Sequence, residues 1–322
     1  MGLAFGPPRQ KANPIEDFRL DISRPFLGKS GKIKGISVNS LVRQVTAAPL
    51  LSRLALTIFL ARVGDRNPRG MEGAAHLGAS LAAHLGVTAK QLGEPQTPLC
   101  AGWERELEAA MPALLALSQA YDQLLASGCT PLTVMGRCAS GLATLPMVAR
   151  HRPDACIVWF DAHGDSNTPA TTPSGYLGGL VLTGTAGLWK SGLGDDLKLS
   201  NVVLVGARDI DPAEQALIDA GTLRLVSPGE NLAARLREAV GERAVYVHID
   251  CDVLEPGLVP TEYSVPGGLS FPELRSACEA LAHNEVVGLE VAEFESRWAA
   301  TDEPASPFGL IDALQPLLRA MN

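Results

Sequence analysis

Short apolar runs recur along the chain between longer stretches with helical periodicity, and most of the runs end in turn-forming or charged residues. Apolar runs of this length indicate buried strands, and longer amphipathic stretches indicate helices. Strands that alternate with helices predict an α/β fold, a three-layer sandwich around a mostly parallel sheet. The predicted strands cover residues 54–60, 132–135, 155–160, 202–205, 223–226, 244–249 and 286–291, and the predicted helices include 72–85, 103–126, 231–240 and 307–321.

Two details refine the predicted helices. Pro112 lies within the stretch 103–126 and predicts a kink or a boundary, because proline removes a backbone donor. Ser270 and Glu273 form a capping-box pattern, which predicts that a further helix begins after Ser270.

Residues 1–50 differ from the rest of the chain, since they contain Pro, Gly and Lys without clear periodicity. We interpret them as an irregular N-terminal extension. The pattern therefore predicts two parts: the extension over 1–50 and an α/β catalytic domain over 51–322.

Composition narrows the class of protein. Hydrophobic residues make up 46% of the 322 residues and the formal net charge is −8, without the basic cluster that nucleic-acid binding requires. The stretch 47–63 is apolar but is interrupted by Arg53 and Arg62, so we expect no membrane span. The six cysteines form no CxxC pair, which favours reduced thiols in a cytoplasmic protein.

Two of the predicted strands lead into closely spaced ionisable side chains. One is followed by Asp161, His163 and Asp165, and another by Asp250 and Asp252. Alternate residues of an extended chain project to one side, and sites of parallel sheets lie beyond the carboxyl ends of the strands. Converging carboxylates repel one another unless a cation lies between them. Oxygen ligands with one imidazole favour two Mn²⁺ ions over Zn²⁺, and two such ions would acidify a shared water.

The segments DAHGDSNTP (161–169) and HIDCDVLEPG (248–257) resemble the metal motifs of the arginase/agmatinase family, the ureohydrolases. The resemblance extends from about residue 54 to the last predicted strand. It implies an arginase-like sheet of about eight strands, a dinuclear manganese site, and hydrolysis of a guanidino compound to urea and an amine.

The resemblance also implies individual roles. Asp161 and Asp250 would bridge the two ions. Asp165 would bind the first ion and aid proton transfer, while His163 and Asp252 would bind the second.

One ligand position departs from the family pattern. Where the family supplies a histidine to the first ion, this chain has Cys138. Cys138 would either ligate as a thiolate, which softens the site, or be a small buried residue beside a weakly held ion; we favour ligation or near contact. A subset of the family has such a cysteine, and the segments TPSGYLGG (172–179) and GARDID (206–211) resemble it. That subset includes an amidinohydrolase that converts Nω-hydroxy-L-arginine to hydroxyurea and ornithine.

A second departure is Gly178, because arginases have at this place a histidine that transfers protons to the leaving amine. Another group or water must donate that proton, or the preferred substrate differs. Tyr176 replaces a smaller residue nearby and is expected to reshape the mouth of the pocket.

Five residues are predicted to contact the substrate. Glu293 follows the last predicted strand, where a glutamate of the arginases holds the guanidinium; the alternative is a solvated loop acid. Asn167 and Ser174 match positions that recognise an α-carboxylate. Asp211 matches the position that receives the α-ammonium, and Glu214 lies one turn further on. These residues favour an arginine-like amino acid over agmatine.

The sequence thus predicts a manganese amidinohydrolase that acts on arginine or Nω-hydroxy-L-arginine. Within enzymes the alternative is an agmatinase or guanidino-acid hydrolase, and in another class it is an inert family member that acts as a binding protein. His248 is interpreted as a hydrogen-bonded core histidine rather than a ligand. The sequence leaves the oligomeric state open, and the resemblance implies a homo-oligomer because relatives are commonly trimers or hexamers.

Overall fold

Residues 53–322 are described by a computed structural model of the protein. The predicted irregular extension, residues 1–50, lies outside this described range. The described residues contain an eight-stranded sheet in which every strand pairs in parallel with its neighbours, as the alternating pattern predicts. The strands are β1 (Leu54–Phe59), β2 (Lys90–Leu92), β3 (Thr130–Met135), β4 (Cys156–Phe160), β5 (Val202–Val205), β6 (Arg224–Val226), β7 (Val245–Asp250) and β8 (Val286–Ala292).

The helices cover both faces of this sheet. They are α1 (Arg69–Leu85), α2 (Trp103–Ala126), α3 (Gly141–His151), α4 (Val181–Thr185), α5 (Pro212–Asp219), α6 (Leu232–Val240), α7 (Phe271–Leu281) and α8 (Phe308–Ala320). Helix α2 continues through Pro112, so this proline does not end the helix. Ser270 caps α7 as predicted, since its hydroxyl accepts a hydrogen bond from the Glu273 N–H.

The alternation of side chains along each strand separates two apolar layers. In β4, Val158 and Phe160 pack in the layer that includes α1, α6, α7 and α8. Ile157 and Trp159 point to the opposite layer, which includes α2, α3 and α4. Both faces of the sheet are therefore covered, which confirms the three-layer sandwich and explains why its strands are almost wholly apolar.

The order of the strands is β2-β1-β3-β8-β7-β4-β5-β6. Sequence reasoning missed β2, a three-residue edge strand whose Lys90 and Gln91 are exposed. It identified the other strands to within a few residues. The order places β3, β8, β7 and β4 side by side, so the loops after these strands meet at the carboxyl edge of the sheet.

Within residues 53–322, none of the helices is both long enough and apolar enough to cross a bilayer.

Candidate metal centre and pocket

Each of the four central strands delivers one chemically active side chain to the same edge. Cys138 follows β3, Glu293 follows β8, Asp250 ends β7 and Asp161 follows β4. All four residues are buried, with at most 4% of their surface exposed. Residues far apart in sequence are thus brought together by the order of adjacent strands.

Asp161, His163 and Asp252 form one group whose ligand atoms all lie within 4.8 Å of one another. The Nδ1 atom of His163 is 3.2 Å from Asp161 Oδ1 and 3.1 Å from Asp252 Oδ2. The other Asp161 oxygen accepts a hydrogen bond from the Trp159 indole, and the other Asp252 oxygen accepts one from the Ala162 N–H. Both carboxylates are therefore oriented by groups outside the cluster.

Cys138 takes part in two further groups of the same compactness, one with Asp161 and Asp165, and one with Asp250 and Glu293. Its thiol donates to Asp250 Oδ2 over 2.9 Å. Asp165 has a positive φ of 44°, a conformation that non-glycine residues adopt only rarely. This turn brings the Asp165 carboxylate back towards Asp161, so all six predicted metal ligands lie around one volume.

The electrostatics of this volume favour a bound cation. Burial, followed by repulsion from neighbouring carboxylates, raises the pKa values of Asp165, Asp250 and Asp252 above the ordinary value. Burial also raises the pKa of the Cys138 thiol well above 9.0, and Asp250 adds to the effect. For Asp161, burial acts in the same direction and is the largest single effect, but the hydrogen bonds and positive charge of His163, together with His248, outweigh it and lower the pKa. A cluster of like charges of this kind is costly in an apolar interior without a compensating positive charge.

A polar network beneath Cys138 fixes its position. His248 Nε2 lies 3.1 Å from the Cys138 sulfur, and His248 Nδ1 lies 2.7 Å from Glu290 on β8. The imidazole is fully buried and stacks on Trp159 with 3.5 Å between ring centroids. Glu290 also accepts hydrogen bonds from Thr144 and Tyr246. His248 is therefore a hydrogen-bonded core histidine, as predicted, and its Nε2 atom lies next to the Cys138 sulfur.

Sequence reasoning missed a buried ion-pair network around Arg137. The Arg137 guanidinium, with 0% of its side chain exposed, lies 2.9 Å from Asp65 and 2.6 Å from Glu293. Its Nη2 atom lies 2.7 Å from Glu262 and 3.6 Å from Glu295, in ion-pair contacts that lack hydrogen-bond alignment. Burial alone would lower the pKa of Arg137, but Glu293 and the other carboxylates raise it, so the cation is permanent. The signal for this network in the sequence is a lone arginine next to an apolar strand, because buried arginines are almost always paired.

Glu293 is held from two sides. Its Oε2 accepts from Arg137, and its Oε1 accepts from the Cys138 N–H over 3.1 Å. Burial raises its pKa to about 7, although Arg137 acts in the opposite direction. The backbone of Glu293 has a φ of +63°. The carbonyl oxygen of the following residue, Phe294, lies so close to Gly73 of α1 that a methyl group on this glycine would be 1.8 Å from it. The glycine thus allows α1 to pack directly against the loop that carries Glu293, which is buried and not a solvated loop acid.

The predicted ligand groups and Glu293 border a cavity of about 250 Å³. All four of the remaining predicted substrate residues line it: Asn167, Ser174, Asp211 and Glu214. Asn167 donates to Asp211 over 2.8 Å, so these two side chains form one polar wall. Glu214 also holds the wall in place, because its oxygens accept from the backbone N–H groups of Ser166 and Asp211.

Part of the cavity wall is aromatic. Tyr176 and Tyr263 meet edge to face with 5.5 Å between ring centroids, and the Arg66 guanidinium lies 5.1 Å from the Tyr176 ring. Tyr263 also approaches the ring of His163, with 5.9 Å between centroids. Two tyrosines thus line the cavity, of which sequence reasoning singled out only Tyr176.

Comparison with known proteins gives a consistent result. A family model described as the Arginase family matches residues 71–306. The N(omega)-hydroxy-L-arginine amidinohydrolase of Streptomyces lavendulae is 40% identical over 241 residues, which is 75% of this chain and 88% of that protein. The crystallised arginase of Bacillus caldovelox is 26% identical, with a TM-score of 0.68 over 82% of this chain and 97% of that one. The Entamoeba histolytica arginase, solved in complex with L-ornithine, has a TM-score of 0.70 over 83% and 97% at 20% identity, which supports the fold alone.

Proposed function

Since the chain belongs to the arginase family, we propose that it is a dinuclear-metal amidinohydrolase that cleaves the guanidino group of an arginine-like amino acid. The products are an amine such as ornithine together with urea from arginine, or hydroxyurea from Nω-hydroxy-L-arginine. The convergence of two ligand groups at the carboxyl ends of β4 and β7, with Glu293 beside them, is the observation that carries this proposal.

The donor set fits two divalent cations. Asp161 and Asp250 would help to hold both ions, Cys138 and Asp165 would hold the first, and His163 and Asp252 would hold the second. Carboxylate-rich ligation with one imidazole suits Mn²⁺, and a thiolate at Cys138 would widen the range of metals accepted. Bound cations would offset the repulsion that raises the carboxylate pKa values and would lower the pKa of water enough to supply a nucleophile near neutral pH.

The protein side chains then position the reactants. Glu293 presents its carboxylate at the cavity floor, where it orients the guanidino group by accepting N–H hydrogen bonds. Asp165 lies in the same volume, where its carboxylate could take up a proton from a metal-activated water and pass it on. Both residues are therefore assigned as catalytic.

The wall opposite the metal groups is assigned to the amino-acid end of the substrate. Asn167 and Ser174 offer donors to an α-carboxylate, and Asp211 and Glu214 offer negative charge to an α-ammonium. Agmatine lacks the α-carboxylate, so it leaves part of this wall unmatched. We therefore favour an amino-acid substrate over agmatine or a simple guanidino acid.

A direct assay tests the proposal. Mn²⁺-loaded protein is incubated with Nω-hydroxy-L-arginine, arginine, agmatine and a guanidino acid, and hydroxyurea or urea is quantified together with bound metal. We expect metal-dependent turnover of at least one amino acid, abolished in Asp161→Asn. Turnover of agmatine alone would favour the agmatinase alternative, and metal-loaded protein that turns over none of the four would favour an inert binding protein.

Two further assignments are part of the proposal. All six cysteines are free thiols, which supports a reducing, cytoplasmic location. A homo-oligomer is proposed from family membership, and sedimentation of the full chain tests it.

A further inference from the structure

The ring of Tyr176 fills the space next to Gly178. A methyl group on Gly178 would lie 2.5 Å from Cε1 of Tyr176 and 3.3 Å from Cζ. On the other side the ring faces Gly64, where an added methyl group would lie 3.7 Å away. Any side chain at position 178 and the present position of the tyrosine ring therefore exclude each other.

The hydroxyl at the end of this ring is buried and, among the residues that the structure describes, has no hydrogen-bond partner. Burial and the negative charge of Glu293 raise the phenol pKa well above 10.0, so the group carries its proton and can donate it in a hydrogen bond. Tyr176 lines the same cavity as Cys138 and Glu293. An unpartnered buried hydroxyl costs free energy, and a ligand that supplies its partner recovers that cost.

The two candidate substrates, arginine and Nω-hydroxy-L-arginine, differ in the hydrogen-bonding groups of their guanidino ends. A guanidinium carries five N–H donors and no acceptor. An N-hydroxylated guanidine adds one oxygen, which accepts hydrogen bonds. The Arg137 guanidinium, which is fully buried, already donates to one oxygen of Glu293. Beside that cation, an unpartnered O–H group is better matched by an acceptor oxygen than by further N–H donors.

We propose that Tyr176, in the space left open by Gly178, donates a hydrogen bond to the hydroxyl oxygen of an N-hydroxyguanidine and thereby selects this substrate class over plain guanidines. The inference rests on the proposed function, of which it specifies the substrate. Tyr176 acts as a specificity-determining residue that touches the substrate, while the metal ligands and Glu293 are shared by both substrates.

Tyr176→Phe tests the inference because it removes the hydroxyl and keeps the ring. Binding of Nω-hydroxy-L-arginine and of arginine to metal-free protein, which does not hydrolyse them, is measured by calorimetry, and kcat/KM for each and the metal content are measured with Mn²⁺-loaded protein. We expect about a tenfold loss for Nω-hydroxy-L-arginine in both affinity and kcat/KM, and a change of less than about twofold for arginine. Equal losses for both substrates, or an unchanged ratio, would overturn the inference. Binding is read independently of turnover, so absent turnover counts against the proposed function while the affinity ratio still decides the role of Tyr176.

Gly178→Ala tests the spatial argument separately. The added methyl group must displace the ring, so we expect a loss of selectivity similar to that of Tyr176→Phe. In the double variant the second change should alter selectivity by less than about twofold, because both act on the same hydroxyl. A Gly178→Ala protein with wild-type selectivity would overturn the inference that position 178 sets the placement of the hydroxyl.

Discussion

Replacing Arg137 with Met should be among the most damaging single changes outside the ligand groups. The guanidinium lies within 2.9 Å of Asp65, Glu262 and Glu293, and neither Arg137 nor Asp65 has an exposed side chain. Methionine keeps much of the volume and removes the charge. The carboxylates would then remain in the interior without their cation.

The magnitude follows from the burial of the network. Removing one partner of a buried ion pair costs about 3–5 kcal/mol, because an uncompensated charge stays behind. For a chain of this size each kcal/mol lowers Tm by roughly 2–4 °C, so we expect a fall of about 10 °C. The left-over carboxylates can take up protons, and Glu293 already has a pKa of about 7. A carboxylate whose pKa is raised in the folded state stabilises it at low pH and loses that contribution as pH rises, so the defect should be larger at pH 8 than at pH 6.

The assay is thermal unfolding of metal-free protein at both pH values. Arg152→Met is the matched control, since Arg152 also pairs with two carboxylates, Asp154 and Glu285, but at the exposed surface. We expect the control to cost less than about 1 kcal/mol. Arg137→Lys should be intermediate, because lysine keeps the charge and loses the planar fork. If Arg137→Met shifts Tm no more than Arg152→Met does, the network does not hold the loops after β3 and β8.

Two further predictions concern the metal centre. Cys138→Ser should lower metal affinity by at least about tenfold and abolish the sulfur-to-metal charge-transfer absorption of Cd²⁺-loaded protein. The control is Cys278→Ser, which replaces a buried thiol of α7 and should leave both quantities unchanged. An absorption band retained in Cys138→Ser would mean that Cys138 is not a ligand. The raised pKa values of Asp165, Asp250, Asp252 and Glu293 outnumber the lowered one of Asp161, so metal-free protein should lose stability as pH rises from 5 to 8. Mn²⁺ should then raise Tm more at pH 8 than at pH 5.5 and release protons into a weak buffer on binding; an equal shift at both pH values would contradict this.

The sequence was sufficient to predict the candidate ligand groups that the structure brings together, because each group is local. Asp161, His163 and Asp165 follow one strand within five residues, and Asp250 and Asp252 end another. Parallel strands expose their carboxyl ends at one edge, so the two groups had to be near each other. That β4 and β7 are immediate neighbours is a result of the strand order, which depends on the packing of helices on both faces.

The residues that sequence reasoning missed have partners from distant segments. In the sequence, Arg137 is a single charged residue in a short loop. The carboxylates that pair with it follow β1, β7 and β8. The unpartnered hydroxyl of Tyr176 is equally invisible in sequence, since it depends on which groups lie around it in three dimensions. The local sequence pattern therefore predicted the secondary-structure elements and the candidate ligand groups, and only tertiary contacts revealed the charge balance around the pocket.

Arg137 and Tyr176 act on substrate choice in the same direction. One oxygen of Glu293 is already paired with the Arg137 guanidinium, so a second, cationic guanidinium gains less from this carboxylate. N-hydroxylation withdraws electrons and makes a guanidine less basic, so such a substrate can bind neutral and depends less on the charge of Glu293. Its oxygen also supplies the acceptor that the Tyr176 hydroxyl lacks. The selectivity for Nω-hydroxy-L-arginine over arginine should therefore persist in part in Tyr176→Phe, with the remainder attributable to the pairing of Glu293 with Arg137.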